Sequence, residues 1–356
     1  MHADTLKFYK YSPVKKPIYK GKFCSIPFDI MQIDEDGDVM LCVCQLHMPY
    51  VIGNIYKDTL QNIWAGEKAN QVRQAVVDED FTYCNWACSA LPTLPDRPKI
   101  LPILTSFPKI IKIDLDRSCN LKCSSCRETV IIEKHSPKID KQTELYNEIT
   151  RWARENPDAQ ISIIPLSGGE VFASYSGLKF LHSLIDYPYD NIQINITTNG
   201  TLLNKNRELI KNIKHLINNI SISIDAATPE TYNVVRGGDW QELMLGLEFV
   251  HSIKILPLQF NFCIQKNNYH EIKLFAELAN KFNANISYQK LLDWGHWDIA
   301  WWHENNVFDR TRDTFEQTLD NLRQVQKKYP NQISLVAELT KYLDKQNSLR
   351  TGNSLP

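Results

Sequence analysis

From Lys109 onward, apolar and polar positions alternate with a period of two in short runs and with a period near 3.6 between them. "KIIKIDLD" (109–116), "ISIIPLS" (161–167), "IQINITT" (192–198), "SISIDA" (221–226), "LQFNFCIQ" (258–265) and "ANISYQK" (284–290) are the strand-like runs. Helical patterns separate them, through "KQTELYNEITRWARE", "LKFLHSLI", "NRELIKNIKHL", "WQELMLGLEFVHSI" and "HEIKLFAELANKF". Parallel neighbours need crossover connections, so this order predicts an α/β fold, either a βα barrel or an open sheet.

Parity within the strands adds a second expectation. Ile192, Ile194, Ile196, Ile222, Ile224, Phe260, Phe262 and Ile264 share the parity that must meet covering helices. Asn195, Thr197, Ser221, Ser223, Asp225, Asn261, Cys263 and Gln265 share the other. Ordinary eight-stranded barrels fill their interior with branched apolar side chains, so a polar inner face predicts a lumen that holds a polar ligand. The plainer alternative, one solvated face, is rare for parallel sheets.

Ahead of Lys109 the pattern changes. Pro92, Pro95, Pro98, Pro102 and Pro108 mark residues 92–108 as a stiff linker with little regular structure. Residues 1–91 before it form a cysteine-bearing segment, in which Asp36-Gly37 between alternating runs signals a hairpin that would bring Cys24 and Cys42 onto paired strands. The expected division is therefore 1–91, 92–108, a βα region at 109–292, and a C-terminal extension at 293–356. That extension carries Trp294, Trp297, Trp301 and Trp302 with His296 and His303. Aromatic stripes serve as packing more often than as a grip on substrate.

Charge narrows the function classes. With 40 basic and 41 acidic residues and a net charge of -1, neither a nucleic-acid-coating protein nor a polybasic membrane binder is expected. The start is polar and aromatic, and no run of apolar residues is long enough to span a bilayer, which predicts a cytoplasmic protein. In a reducing compartment nine cysteines are unusual as idle core residues. Their odd count, with eight of them before residue 127, points to metal.

The densest group is "SCNLKCSSC", with Cys119, Cys123 and Cys126 directly after the first strand. Three thiolates at this spacing fit three corners of an iron–sulfur cube or three positions around zinc. Structural zinc normally closes with four protein ligands, and no His or Cys follows nearby except the distant His135. A [4Fe-4S] cube held by three thiolates leaves one iron open to a small molecule.

At this point the sequence resembles the radical S-adenosylmethionine (SAM) superfamily, whose signature is CxxxCxxC in the loop after the first barrel strand. The resemblance covers roughly Lys109 to Lys290 and implies a partial (β/α)6 barrel. It implies that the open iron chelates SAM and that reductive cleavage yields a 5'-deoxyadenosyl radical, which abstracts hydrogen from substrate. "SGGE" (Ser167, Gly168, Gly169, Glu170) resembles the motif that meets the methionyl amino group. "TTNG", with Thr197 and Asn199, and "SIDA", with Ser223 and Asp225, fall where the family contacts ribose and methionyl groups. Arg236, in "TYNVVRGG", matches an Arg that can meet the SAM carboxylate, and Gln265 joins these contacts on the lumenal parity. Singly these are turns and strand ends; their order along the chain is the specific signal. Cys263, also lumenal, could return a hydrogen atom to a substrate radical, although a small buried cysteine is the usual role of a lone thiol.

"FCSIPFDIMQIDEDGDVMLCVC", "VIGNIYKDTLQNIW" and "FTYCNWAC" resemble the SPASM/twitch auxiliary-cluster modules. The resemblance implies one auxiliary [4Fe-4S] cluster on Cys24, Cys42, Cys84 and Cys88, serving electron transfer or substrate anchoring. Cys44 competes with Cys42 for one position, and a four-cysteine zinc site is the alternative. Such modules usually follow the barrel, whereas this one precedes it. The relatives imply a peptide or protein substrate and a flavodoxin or ferredoxin-type reductant, although the first 23 residues hold no separate leader-peptide-binding domain. The alternatives are a small-molecule substrate (sugar, nucleoside or amino acid) and, from another class, a non-catalytic iron–sulfur electron carrier or zinc-stabilised binding module.

Overall fold

The computed structural model describes residues 19–43, 47–85, 88, 90–165, 168–255, 257–291 and 297–335. They fall into two compact units, residues 1–118 with 132–196, and residues 119–131 with 197–356.

In the first unit, α1 (Ile26–Asp29) leads into a hairpin of β1 (Ile30–Ile33) and β2 (Asp38–Met40), and β3 (Gly53–Asn54) pairs with β2. The Asp36-Gly37 turn closes this hairpin, with Gly37 at φ +79°. A Cβ there would lie 2.7 Å from the Tyr56 ring, so glycine is needed for both backbone and space. Asp34 Oδ1 accepts from the N–H groups of Asp36 and Asp38, each at 3.0 Å. Cys24 precedes α1 and Cys42 follows β2, so the expectation that both ride on paired strands is corrected: the hairpin is shorter than the spacing between them.

Helices α2 (Leu60–Ala65) and α3 (Glu67–Val77) follow, then the proline-rich segment. That segment is tied down: Trp64 Nε1 donates to Thr105 O at 2.8 Å, and Phe107 is buried in a stack on Trp152. Next come β4 (Ile110–Ile113), α4 (Pro137–Glu155), β5 (Ile161–Ile164), α5 (Tyr175–Ser183) and β6 (Ile192–Thr198). Helix α4 starts earlier than its apolar period suggests, because Ser136 accepts from Ile139 N and Pro137 fits the first turn. Strands β4, β5 and β6 are parallel neighbours. On its other side β4 pairs in parallel with β1, from Ile30↔Ile110 to Ile33↔Ile113. The N-terminal hairpin and the first βα strand thus share one sheet.

The second unit begins with the 119–131 loop and resumes after β6 with α6 (Arg207–Ile213), β7 (Ile217–Ser223), α7 (Pro229–Val235) and α8 (Trp240–Ser252). It continues with β8 (Leu258–Ile264), α9 (Ile272–Lys281), β9 (Asn285–Lys290), α10 (Ile299–Asn305), α11 (Asp313–Lys328) and β10 (Ile333–Leu335). Strands β7 to β10 pair in parallel in sequence order. The apolar parity forms the core, with Ile220, Ile222, Phe260 and Phe262 fully buried, the two phenylalanines against Phe275 of α9. On the polar parity, Asn261 Nδ2 donates to Ser221 Oγ at 2.8 Å and Gln259 Nε2 to Asn261 Oδ1 at 2.8 Å, a cross-strand row that satisfies its own polar groups. Trp297 stacks on Trp301 at 5.1 Å, while Trp294 and His296 lie outside the described residues. Among the described residues no helix is long and apolar enough to cross a membrane.

Candidate functional site

The three-cysteine loop of the second unit is pinned at both ends. Cys119 makes an antiparallel bridge with Ile131, its N–H donating to Ile131 O at 2.6 Å. A turn closes the other end, where the N–H groups of Cys126 and Arg127 both donate to Cys123 O. Between them Ser124 docks on the last turn of α7: its N–H donates to Val235 O at 3.1 Å and its hydroxyl to the same oxygen at 3.3 Å. Cys119 and Cys123 are buried and Cys126 is half-buried. Burial pushes the Cys123 thiol up to about 11, with the Arg236 cation pulling against it.

Side chains from three strand ends converge on this loop within the unit. Asn199 Nδ2, after β6, donates to Asn120 Oδ1 at 2.9 Å and lies 3.9 Å from Cys119 Sγ. Thr201 reinforces it, donating through N–H and hydroxyl to Asn199 Oδ1. Asp225, after β7, sits at φ +59°, a left-handed conformation uncommon for a residue with a Cβ, and such strain gathers at functional sites. Its Oδ1 accepts from Cys263 N at 2.6 Å and its Oδ2 from Arg236 Nη1 at 3.0 Å. Burial raises the Asp225 carboxyl, and Arg236 opposes that rise. Gln265, after β8, is fully buried, and its Oε1 stands 3.5 Å from Ser124 Oγ. Burial, with the Asp225 charge beside it, pushes the Cys263 thiol up, so it stays protonated.

Among the described residues two donors in this group lack a partner: Arg236 Nε and Gln265 Nε2 are buried with no acceptor there. An unmade buried hydrogen bond costs about 1–3 kcal/mol, so both call for an acceptor that the described residues do not provide. Thr197, next to last in β6, and Ser223, the last residue of β7, lie in the same unit.

Arg127 is the residue that motif reading passed over. Its Nε donates to Cys126 Sγ at 3.5 Å. Burial works against its charge, but charged sulfur at Cys126, the hydrogen bond to it, and charged sulfur at Cys119 and Cys123 outweigh that and shift the guanidinium upward. A basic residue directly after the third cysteine was the available signal. Beside the loop a cleft of about 620 Å³ is lined by Asn120, Leu121, Thr201, Lys205, Gly237 and Asp239, among others.

In the first unit Cys24, Cys42, Cys84 and Cys88 line one cavity of about 140 Å³, walled mainly by Ile26, Pro27, Met48, Phe81, Leu91 and Leu94. Burial raises the Cys84 thiol first, and the charges of Cys24, Cys42 and Cys88 raise it further, as expected for four thiols sharing one space. A cationic core among them would invert that balance. His47, which burial keeps below its usual range, also lines the cavity and was not foreseen. Cys44 lies outside the described residues. Among the described residues no three His, Cys, Asp or Glu side chains gather tightly enough for a single metal ion. Four thiols lining one mainly apolar cavity suit an iron–sulfur cube.

Gly168 and Glu170 also belong to the first unit. Gly168 N donates to Asp114 Oδ1 at 2.9 Å, and Glu170, fully buried, gives its N–H to Ser118 O and takes that of Phe172 on Oε1. Asp116, buried beside them in sequence with Ser118, accepts from Ser174 Oγ and Ser118 N. Gly169 completes the turn, and Ser167 lies outside the described residues.

A family model for the Radical SAM superfamily matches residues 115–279, and one for SPASM, an iron–sulfur cluster-binding domain, matches residues 24–89. The AdoMet-dependent heme synthase of Methanosarcina barkeri is 27% identical over 186 residues, 51% of this chain and 50% of that protein. GTP 3',8-cyclase of Alkaliphilus metalliredigens is 27% identical over 188 residues, 52% of this chain and 57% of that protein. The chain spans about half the length of these curated relatives. Among solved structures, Streptococcus suis SuiB bound to precursor peptide SuiA is similar at 16% identity and a TM-score of 0.45, covering 78% of this chain and 55% of that one.

Proposed function

Starting from an enzyme of the radical SAM superfamily with a SPASM domain on its N-terminal side, we propose that it abstracts a hydrogen atom from a peptide or protein, leading to side-chain modification or epimerisation. The resemblance implies a partial (β/α)6 barrel, for which β4 to β9 would supply the six strands. Bound at Cys119, Cys123 and Cys126, a [4Fe-4S] cluster with SAM supplies a 5'-deoxyadenosyl radical upon reduction.

The chain's own residues are assigned as follows. Arg236 Nε and Gln265 Nε2, unpartnered and buried, are the donors that take the cofactor's acceptor atoms, and they are the observation that carries the reading. Asp225 holds Arg236 in place and keeps the adjoining Cys263 backbone fixed. Thr197, Asn199 and Ser223 offer polar contacts at the strand ends, and Gly168, Gly169 and Glu170 serve the methionyl amino group by resemblance. Packing accounts for Cys263 first, but its protonated thiol is the form able to donate a hydrogen atom. Cys24, Cys42, Cys84 and Cys88 hold the auxiliary cluster, whose closed, mainly apolar setting suits electron transfer. A flavodoxin or ferredoxin-type protein in the cytoplasm supplies the electron.

The SPASM domain supports the peptide reading, by analogy with what its relatives modify. The names of the curated relatives, a GTP cyclase and a heme synthase, favour a second reading in which the substrate is a small molecule. Anaerobic reconstitution with iron and sulfide, followed by dithionite and SAM, should release 5'-deoxyadenosine, and its absence would sink both readings. Transfer of deuterium into 5'-deoxyadenosine from a labelled peptide library, and not from labelled nucleotides, separates the two.

A further inference from the structure

Two sulfurs of the loop that carries Cys119, Cys123 and Cys126 meet a nitrogen-bearing side chain. Arg127 Nε is 3.5 Å from Cys126 Sγ, and Asn199 Nδ2 is 3.9 Å from Cys119 Sγ. Arg127 and Asn199 arrive from different parts of the unit, one from the loop itself and one from the end of β6. Arg236 is committed to Asp225 at 3.0 Å, so its charge is already half-balanced. Arg127 is a cation in direct hydrogen-bond contact with a sulfur of the loop.

Three thiolates on a four-iron cube leave a net negative charge that grows by one on reduction. Hydrogen bonds to the sulfurs and nearby positive charge stabilise the reduced form and so raise the potential. We propose that Arg127, through its Nε bond to Cys126 Sγ, sets the reduction potential of the loop cluster and so governs how readily it accepts an electron. It is a positioning residue that acts on the cluster through a ligand. Asn199 adds a weaker, neutral donor on the opposite thiol. The inference rests on the reading of this loop as the SAM-binding cluster site.

The test uses the full chain reconstituted anaerobically as wild type, R127Q and R127K, with C123A identifying the signal that belongs to the loop. Iron and sulfide are counted, and the reduced cluster is followed by electron paramagnetic resonance during a redox titration. R127Q, keeping its iron, should show a ratio of reduced to oxidised cluster about tenfold lower at a fixed potential, which is about 59 mV for one electron. R127K keeps the charge but loses the planar Nε donor, and should fall about threefold. A potential unchanged from wild type in whichever variant assembles overturns the proposal. Failure of both variants to hold iron also overturns it, since Arg127 would then serve assembly. A wild type with no reducible signal lost in C123A refutes the underlying site reading instead.

Discussion

Arg236 donates through Nη1 to Asp225 Oδ2 at 3.0 Å, in a pair whose side chains are only 13% and 5% exposed. Removing one member strands the other as a buried charge, which costs about 3–5 kcal/mol, whereas removing both can be nearly neutral. D225A in the metal-free protein should therefore lose about 3–5 kcal/mol in urea unfolding, and D225A/R236M should recover most of it. A double variant as unstable as the sum of its singles would contradict this.

Asp34, at the hairpin turn, predicts a pH dependence. Burial raises its carboxyl above the ordinary value, and the N–H groups of Asp36 and Asp38 oppose that. The folded chain thus binds this proton more tightly than the unfolded chain. The resulting stability is present below the unfolded value and is lost as pH rises through the folded one. D34N keeps an oxygen acceptor without the charge, so it should be more stable than wild type at about pH 7, with the gap closing toward about pH 3. Equal thermal midpoints at both values would refute it.

Iron counting separates the two thiol groups. The reconstituted chain should hold about eight irons, and C123A and C84A should each retain about four. Loss of all iron from C84A would mean that the loop site depends on the N-terminal one.

Gly246 on α8 packs directly on the turn after β6. A Cβ at that position would lie 2.4 Å from Gly200 O and 3.2 Å from Leu203 Cβ. Backbone cannot yield as a flexible side-chain tip does, so G246A should cost about 1–3 kcal/mol despite its better helix propensity. Because Gly200 follows Asn199, the variant should also disturb the loop's iron content. A fully stable, fully loaded G246A would show that α8 moves freely.

Local periodicity made β4 to β9 and the helices between them legible, because each buries one face and exposes the other at its own period. Motif order singled out Asn199, Asp225 and Arg236 and strand parity singled out Gln265, and all four lie in the unit that holds the three-cysteine loop. Sequence patterns carry no signal for pairing across 80 residues, which is why the β1–β4 register was not foreseen. The placement of Cys24 failed for a related reason: the Asp-Gly turn is readable, but strand length depends on what the strands pack against. Strand β10 is three residues long, too short for alternation to stand out. Arg127 shows in the sequence as a basic residue directly after the third cysteine, but its hydrogen bond to sulfur depends on the loop's turn, which spacing alone does not give.

The parallel pairing of β1 with β4 also bears on how the chain avoids sticking to its neighbours. Without it, the edge of β4 would present a row of open amide and carbonyl groups, a template for strand addition by another molecule. The hairpin covers that edge and passes the margin of the sheet outward to β3, a strand of two residues, Gly53–Asn54, that offers little to recruit. A truncation beginning after Asn54 should therefore aggregate during refolding, for want of a protected edge, even though it retains every residue of the three-cysteine loop.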